Sequence, residues 1–163
     1  MNNVHLRIYL DDHLALMVAE TELIGRCLRS NRGAPLGEFL QKLENEVQVQ
    51  KSIVQEIIQR IGAEEGFESK TKQSLAWFAE KLGRLKFNGS LLSYSDLSRV
   101  VELEALEAAA QGRSGFWDNL ETVATTDVRL EGITFSIQRE LAEQHLQDLN
   151  TRRKLAAAQA FLD

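Results

Sequence analysis

One proline, one cysteine and no long apolar run stand in this chain of 163 residues, and each scarcity excludes something. With Cys27 alone, no internal disulfide forms, and the cytosol is the natural compartment. No stretch reaches the ~18 consecutive apolar residues of a membrane span. The opening Met1-Asn2-Asn3-Val4-His5 lacks the basic region and apolar run of a signal peptide, so a cytoplasmic protein is expected. Basic charge is not in excess either. A net charge of -5 argues against nucleic acid as a partner, because neutralising phosphates needs a basic footprint. Catalytic patterns are missing too: there is no Ser/His/Asp arrangement, no Cys-x-x-Cys pair and no calcium-loop spacing. Gly112-x-x-Gly115 stands without the strand and lysine of a phosphate loop.

What is present is helix. Hydrophobic residues make up 44% and charged residues 26%, a globular mixture, and the length fits one domain spanning 1–163 with a core that needs no disulfide or structural metal. From Leu10 the residues Leu14, Met17, Ile24 and Leu28 recur at three- and four-residue steps, which predicts a helix from about 5 to 30. Ser30 to Ala34 breaks the rhythm, and Pro35 suits the first turn of a second helix running back antiparallel. Leu36, Leu40, Leu43, Val47, Val54, Ile57 and Ile61 carry that helix to a stop at Gly62, with Gln50 the one polar residue on its stripe.

A third helix starts after a cap at Ser93 or Ser95 and carries Leu97, Val100, Val101, Leu103 and Leu106, with Gly112 and Gly115 as possible interruptions. A fourth, capped by Thr126 or Asp127, carries Leu130, Ile133, Ile137, Leu141 and Leu149. Between the two hairpins lie about thirty residues, from 63 to 92, where an up-down-up-down bundle needs only a few. A helix over 70–87 covers ~27 Å and extended residues supply the rest, so this stretch is long enough to cross the bundle. The expected class is therefore all-α, with two antiparallel hairpins joined by an additional crossover helix.

The arrangement resembles the ferritin-like superfamily, and Tyr9-Leu10-Asp11-Asp12-His13-Leu14-Ala15-Leu16 with Glu20 is similar to the first helix of its small uncharacterised bacterial members. The resemblance implies one Glu from each of helices one and three and a Glu-x-x-His pair from each of helices two and four, converging on a di-iron or di-manganese site. Glu20 matches on helix one. Glu104 matches on helix three, where counting 100° per residue from Leu97 sets it between Val100 and Val101 on the apolar face.

The pairs on helices two and four depart from the pattern. Glu46 is followed at i+3 by Val49, with Gln50 one residue further, and His145 is preceded at i-3 by Ala142. None of the three histidines follows a glutamate by three residues. The expectation is a bundle with a degenerate di-iron site and no resident cofactor, with Gln50 and Glu104 as buried polar residues. Glu104 would then pair with Arg7, Arg26 or Arg99, or bond Gln50. If a metal such as Fe or Mn does bind, Glu20, Glu46, Glu104 and His145 are the candidates.

His13 is read as a hydrogen-bonded structural residue, and Cys27 as a small buried apolar one. Phe116 and Trp117 read as core anchors. Lys70, Lys72, Lys81, Arg84 and Lys86 give the crossover segment a local charge of +3 beside its aromatics. That pattern is expected to pack the segment on the bundle rather than on a membrane. The leading expectation of function is a structural or protein-interaction role, as a homodimer, with no enzyme activity. The alternatives are an oxidoreductase or metal-storage protein with an altered carboxylate-rich site, and a peripheral membrane protein using the basic helix.

Overall fold

The computed structural model of the protein describes residues 2–65 and 94–162. Among these residues there are four α-helices and no strand: α1 (Asn3–Ser30), α2 (Pro35–Glu65), α3 (Asp96–Ala124) and α4 (Phe135–Leu162), with a single 3-10 turn at Val128–Leu130 before α4. None of them is long and apolar enough to cross a membrane. The helix expected over 70–87 and its basic residues Lys70, Lys72, Lys81, Arg84 and Lys86 lie outside the described residues.

Helix starts are fixed by side-chain caps that satisfy backbone N–H groups left free in a first turn. Asn2 Oδ1 accepts from the His5 N–H at 3.1 Å, and Ser95 Oγ accepts from the Ser98 N–H at 3.1 Å. Pro35 opens α2, where its missing N–H costs no hydrogen bond. The turn before it is tight: a Cβ added at Gly37 would lie 2.3 Å from the Asn31 carbonyl oxygen, so only glycine fits. α2 does not stop at Gly62 but continues to Glu65. A glycine inside a helix costs only about 1 kcal/mol relative to alanine, which tertiary packing overrides.

Two further expectations are corrected. α3 runs unbroken through Gly112 and Gly115 to Ala124. Asp127 caps the 3-10 turn, accepting from the Arg129 N–H at 3.0 Å, and not the last helix. Gly132, at a φ of +82° that disfavours other residues, then reverses the chain before α4 begins at Phe135.

The apolar interior falls into two clusters, one at each end of the bundle. One holds Leu6, Leu10, Leu14 and Met17 of α1 with Val54, Ile57 and Ile61 of α2, Phe116, Trp117 and Leu120 of α3, and Leu130, Phe135 and Ala142. The other holds Ile24 and Cys27 with Leu40, Leu43 and Val47, Leu103, Leu106 and Ala110, and Leu149 and Ala156. Each fully buried Leu, Ile or Met contributes roughly 1.5–3 kcal/mol, so the clusters carry most of the stability. Their membership also gives the helix directions. The start of α1 meets the ends of α2 and α3 and the start of α4, so both hairpins are antiparallel while α2 and α3 point the same way.

Hydrogen bonds stitch both ends. At the α1–α2 turn, Asn31 Nδ2 donates to the Cys27 carbonyl (2.7 Å) and to the Tyr94 hydroxyl (2.9 Å), while its Oδ1 accepts from Arg99 Nε (3.1 Å). At the opposite end, Arg60 Nη1 donates to the carbonyls of Arg129 and Glu131, and Arg129 Nη2 donates to Asn3 Oδ1.

Candidate functional site

Between the two apolar clusters every helix places at least one polar side chain on its inner line. Glu20 continues the α1 stripe three residues after Met17, and Gln50 continues that of α2 three after Val47. Arg113 continues α3 three after Ala110, and His145 continues α4 three after Ala142. All four are buried, Gln50 with none of its surface exposed and the others at 3% or less.

Arg113 is the hub. Its Nε donates to Glu20 Oε2 at 2.7 Å and its Nη2 to Glu20 Oε1 at 2.9 Å, a bidentate pair that uses the guanidinium fork. Nη1 donates to Gln50 Oε1 at 2.6 Å, and His145 Nδ1 lies 3.3 Å from both Nη1 and Nη2. Every guanidinium nitrogen is thereby engaged.

Because arginine only donates, its neighbours' orientations are determined. The oxygen of the Gln50 amide must face Arg113, and its NH2 donates outward to the Gln138 carbonyl at 2.7 Å. His145 Nδ1 must carry the lone pair, so the ring is neutral with its proton on Nε2, which donates to Glu46 Oε2 at 2.9 Å. Glu46 in turn lies 3.7 Å from Lys42 Nζ, at the protein surface.

The electrostatics follow from burial. Burial holds the His145 pKa below the ordinary histidine value, and Arg113 adds to that depression while Glu46 and Asp148 oppose it. Burial pushes the Glu20 carboxyl upward, and the guanidinium bonded to both of its oxygens works against that push.

The structure brings Glu20, Glu46, Gln50 and His145 into one connected network. Glu104 is not part of it. It is exposed, contrary to the expectation of a buried acid, because the count was anchored on Leu97, itself 55% exposed. The true inner line of α3 is Val100, Leu103, Leu106, Ala110, Arg113 and Trp117, and Glu104 lies beside it on the solvent side. The buried acid of that helix is Glu102, which accepts from Arg26 Nε at 2.9 Å and from the Cys27 thiol at 3.1 Å.

Arg113 escaped the sequence reading because two glycines flank it. Carrying the 3/4 rhythm of α3 through Gly112 and Gly115 would have found it. Cys27 is buried as expected, and burial together with Glu102 pushes its thiol far above the ordinary range, so it is no nucleophile at neutral pH. His13 is half-buried between Tyr9 and Phe116, with ring centroids 4.5 and 4.4 Å away, and burial lowers its pKa against the opposing charge of Asp12. Trp117 and Phe116 are fully buried core residues.

Iron or manganese does not fit this donor set as it stands. A metal needs deprotonated donors with free lone pairs, and here both Glu20 oxygens, the Gln50 oxygen and His145 Nδ1 already face a permanently charged guanidinium. Among the described residues no three His, Cys, Asp or Glu side chains stand grouped to hold an ion. No family model, no curated protein and no solved structure matches the chain.

Proposed function

We propose that the chain is a ferritin-like four-helix bundle that works as a structural or protein-binding element, associating with a second copy of itself, and not as a metal enzyme. The observation that carries this reading is Arg113, whose guanidinium stands at the centre of the bundle and engages the inward-facing acceptors of α1, α2 and α4. With the Cys27 thiol bonded to Glu102 and the His145 proton held by Glu46, these interior groups keep no free acid, base or nucleophile to offer a substrate. The parallel run of α2 and α3 supports the ferritin-like topology, because a chain that leaves one end of the bundle must return to the other before α3 starts.

Elemental analysis of protein purified without chelator, with sedimentation velocity over a hundredfold range of concentration, tests the reading. The expected result is iron and manganese at background and a sedimentation coefficient that rises with concentration. Stoichiometric iron or manganese that disappears in Glu20→Ala would overturn the metal-free reading. A monomer at every concentration would remove self-association.

A further inference from the structure

We propose that a second copy of the chain packs antiparallel along the outer line of α2, on a two-fold axis that passes through Val49. The proposal rests on the self-association read above and names the face that carries it.

Beside its buried stripe, α2 carries a second line of residues at three- and four-residue steps, with Val49 at its middle, 60% exposed. The charges on that line are antisymmetric about Val49. Lys42 lies seven residues before it and Glu56 seven after, with side chains 73% and 55% exposed. Glu38 lies eleven residues before it and Arg60 eleven after. Seven and eleven residues are close to two and three whole turns, so all five residues share one face.

An antiparallel copy turned about Val49 sets Lys42 against the partner's Glu56 and Glu38 against the partner's Arg60, and each pair occurs twice. A parallel copy in register would set like charge against like. The line is therefore self-complementary in one orientation, as a two-fold interface requires. Within the single chain, and among the described residues, Lys42 and Glu56 meet only partners one turn away on α2 itself, Glu46 at 3.7 Å and Arg60.

The apolar part of the face lies toward α4. α2 and α4 touch inward of the line, where Gln50 bonds the Gln138 carbonyl and Glu46 bonds His145, and this leaves Val49 and the 56% exposed Ile137 uncovered outside. The half-buried Ile53 and Leu141 continue that strip. From Glu38 to Arg60 the line is ~33 Å long, and two helices 8–10 Å apart present a face ~20 Å wide. That is ~650 Å² per copy, inside the range of specific dimers.

Sedimentation velocity on the full chain tests the face. Lys42→Glu and Glu56→Lys, each of which turns two opposed pairs into like-charge pairs, should each raise the dimer Kd about tenfold. An equimolar mixture of the two variants should recover the wild-type Kd, because their heterodimer sets opposite charges together at every position. Val49→Cys should give a disulfide-linked dimer on mild oxidation, since Cα atoms ~2.3 Å from axes 8–10 Å apart come within disulfide range on the two-fold. Glu104→Cys, exposed on α3, should stay monomeric in the same treatment, and Cys27 is buried in both.

A wild-type dimer whose Kd ignores both charge reversals, a mixture no tighter than its components, or a Val49→Cys chain that does not cross-link would overturn this face and leave self-association standing. Slow reaction of Val49→Cys with a thiol reagent in the dilute monomer would assign the line to residues 66–93 of the same chain, and would overturn it too. A wild type that is monomeric at every concentration would remove self-association itself.

Discussion

Replacing Arg113 with methionine removes one charge from a pair in which Arg113 is 3% and Glu20 1% exposed at the side chain, and leaves the other in place. Breaking a buried pair in this way costs about 3–5 kcal/mol, because the remaining carboxylate has neither water nor a cation. Gln50 Oε1 and His145 Nδ1 lose their donor as well, each worth roughly 1–3 kcal/mol if nothing replaces it. Methionine fills part of the volume, and Glu20 escapes part of the penalty by taking up a proton, so the lower figure of about 3–5 kcal/mol is the expected net loss at pH 7. That is a large share of the roughly 5–15 kcal/mol that holds a domain of this size.

Urea unfolding followed by circular dichroism measures the loss. It should be pH-dependent with a definite sign. In the variant the carboxyl of Glu20 is pushed up by burial without an opposing cation, so its folded pKa stands above its unfolded one. Such a group contributes stability below the unfolded value that is lost as pH rises through the folded value, and the gap to wild type should narrow toward pH 4.5 and widen toward pH 8. The double variant Glu20→Leu/Arg113→Met, with no charge left to strand, should recover most of the loss. A loss below about 1 kcal/mol at pH 7, a gap that ignores pH, or a double variant no more stable than the single one would refute the reasoning.

The wild type should itself lose stability on acidification, because the His145 and His13 pKa values are both depressed by burial. Their contribution is complete above the unfolded value near 6.5 and is lost as pH falls through the folded values, so the urea midpoint should drop between pH 7.5 and 5, and His145→Gln should flatten part of that slope. Gly37→Ala forces a methyl to within 2.3 Å of the Asn31 carbonyl and should destabilise by about 1–3 kcal/mol, read as a shifted urea midpoint. Cys27 should resist a thiol reagent in the folded chain, and its labelling should follow the unfolding curve in urea; rapid labelling in buffer would contradict its burial against Glu102.

Much of the fold was legible because long apolar stripes at three- and four-residue steps leave little choice of element, as with Leu10, Leu14 and Met17 or Leu40, Leu43 and Val47. Glycines were less readable. Gly62, Gly112 and Gly115 look like stops, yet helix packing absorbs their small cost and all three lie inside helices. Asp127 was expected, with Thr126 as the alternative, to cap the last helix, but the 3-10 turn that it caps instead has no periodic signature of its own.

In the site, Gln50 could be placed by register, whereas Glu20, Glu46 and His145 were nominated through resemblance. Their partner could not be named that way. The bond from Arg113 to Glu20 spans 93 residues, and only the register carried from Ala110 to Trp117 across Gly112 and Gly115 sets that arginine apart from one at the surface. Glu104 shows the converse error. An inner face inferred from a single terminal leucine rotates with that leucine, and Leu97 points outward.

The stacking of apolar, polar and apolar layers along the bundle has a further consequence for how the chain finds one alignment. If α3 slid by a turn in either direction, Arg113 would leave Glu20 and meet a level lined by Met17, Val54 and Ala142 or by Ile24, Val47 and Leu149, stranding both charges in hydrocarbon. Hydrocarbon packing alone would tolerate such a slip far better, since leucine against leucine looks much the same one turn away. The layer thus acts as a key that fits one helical offset and rejects its neighbours.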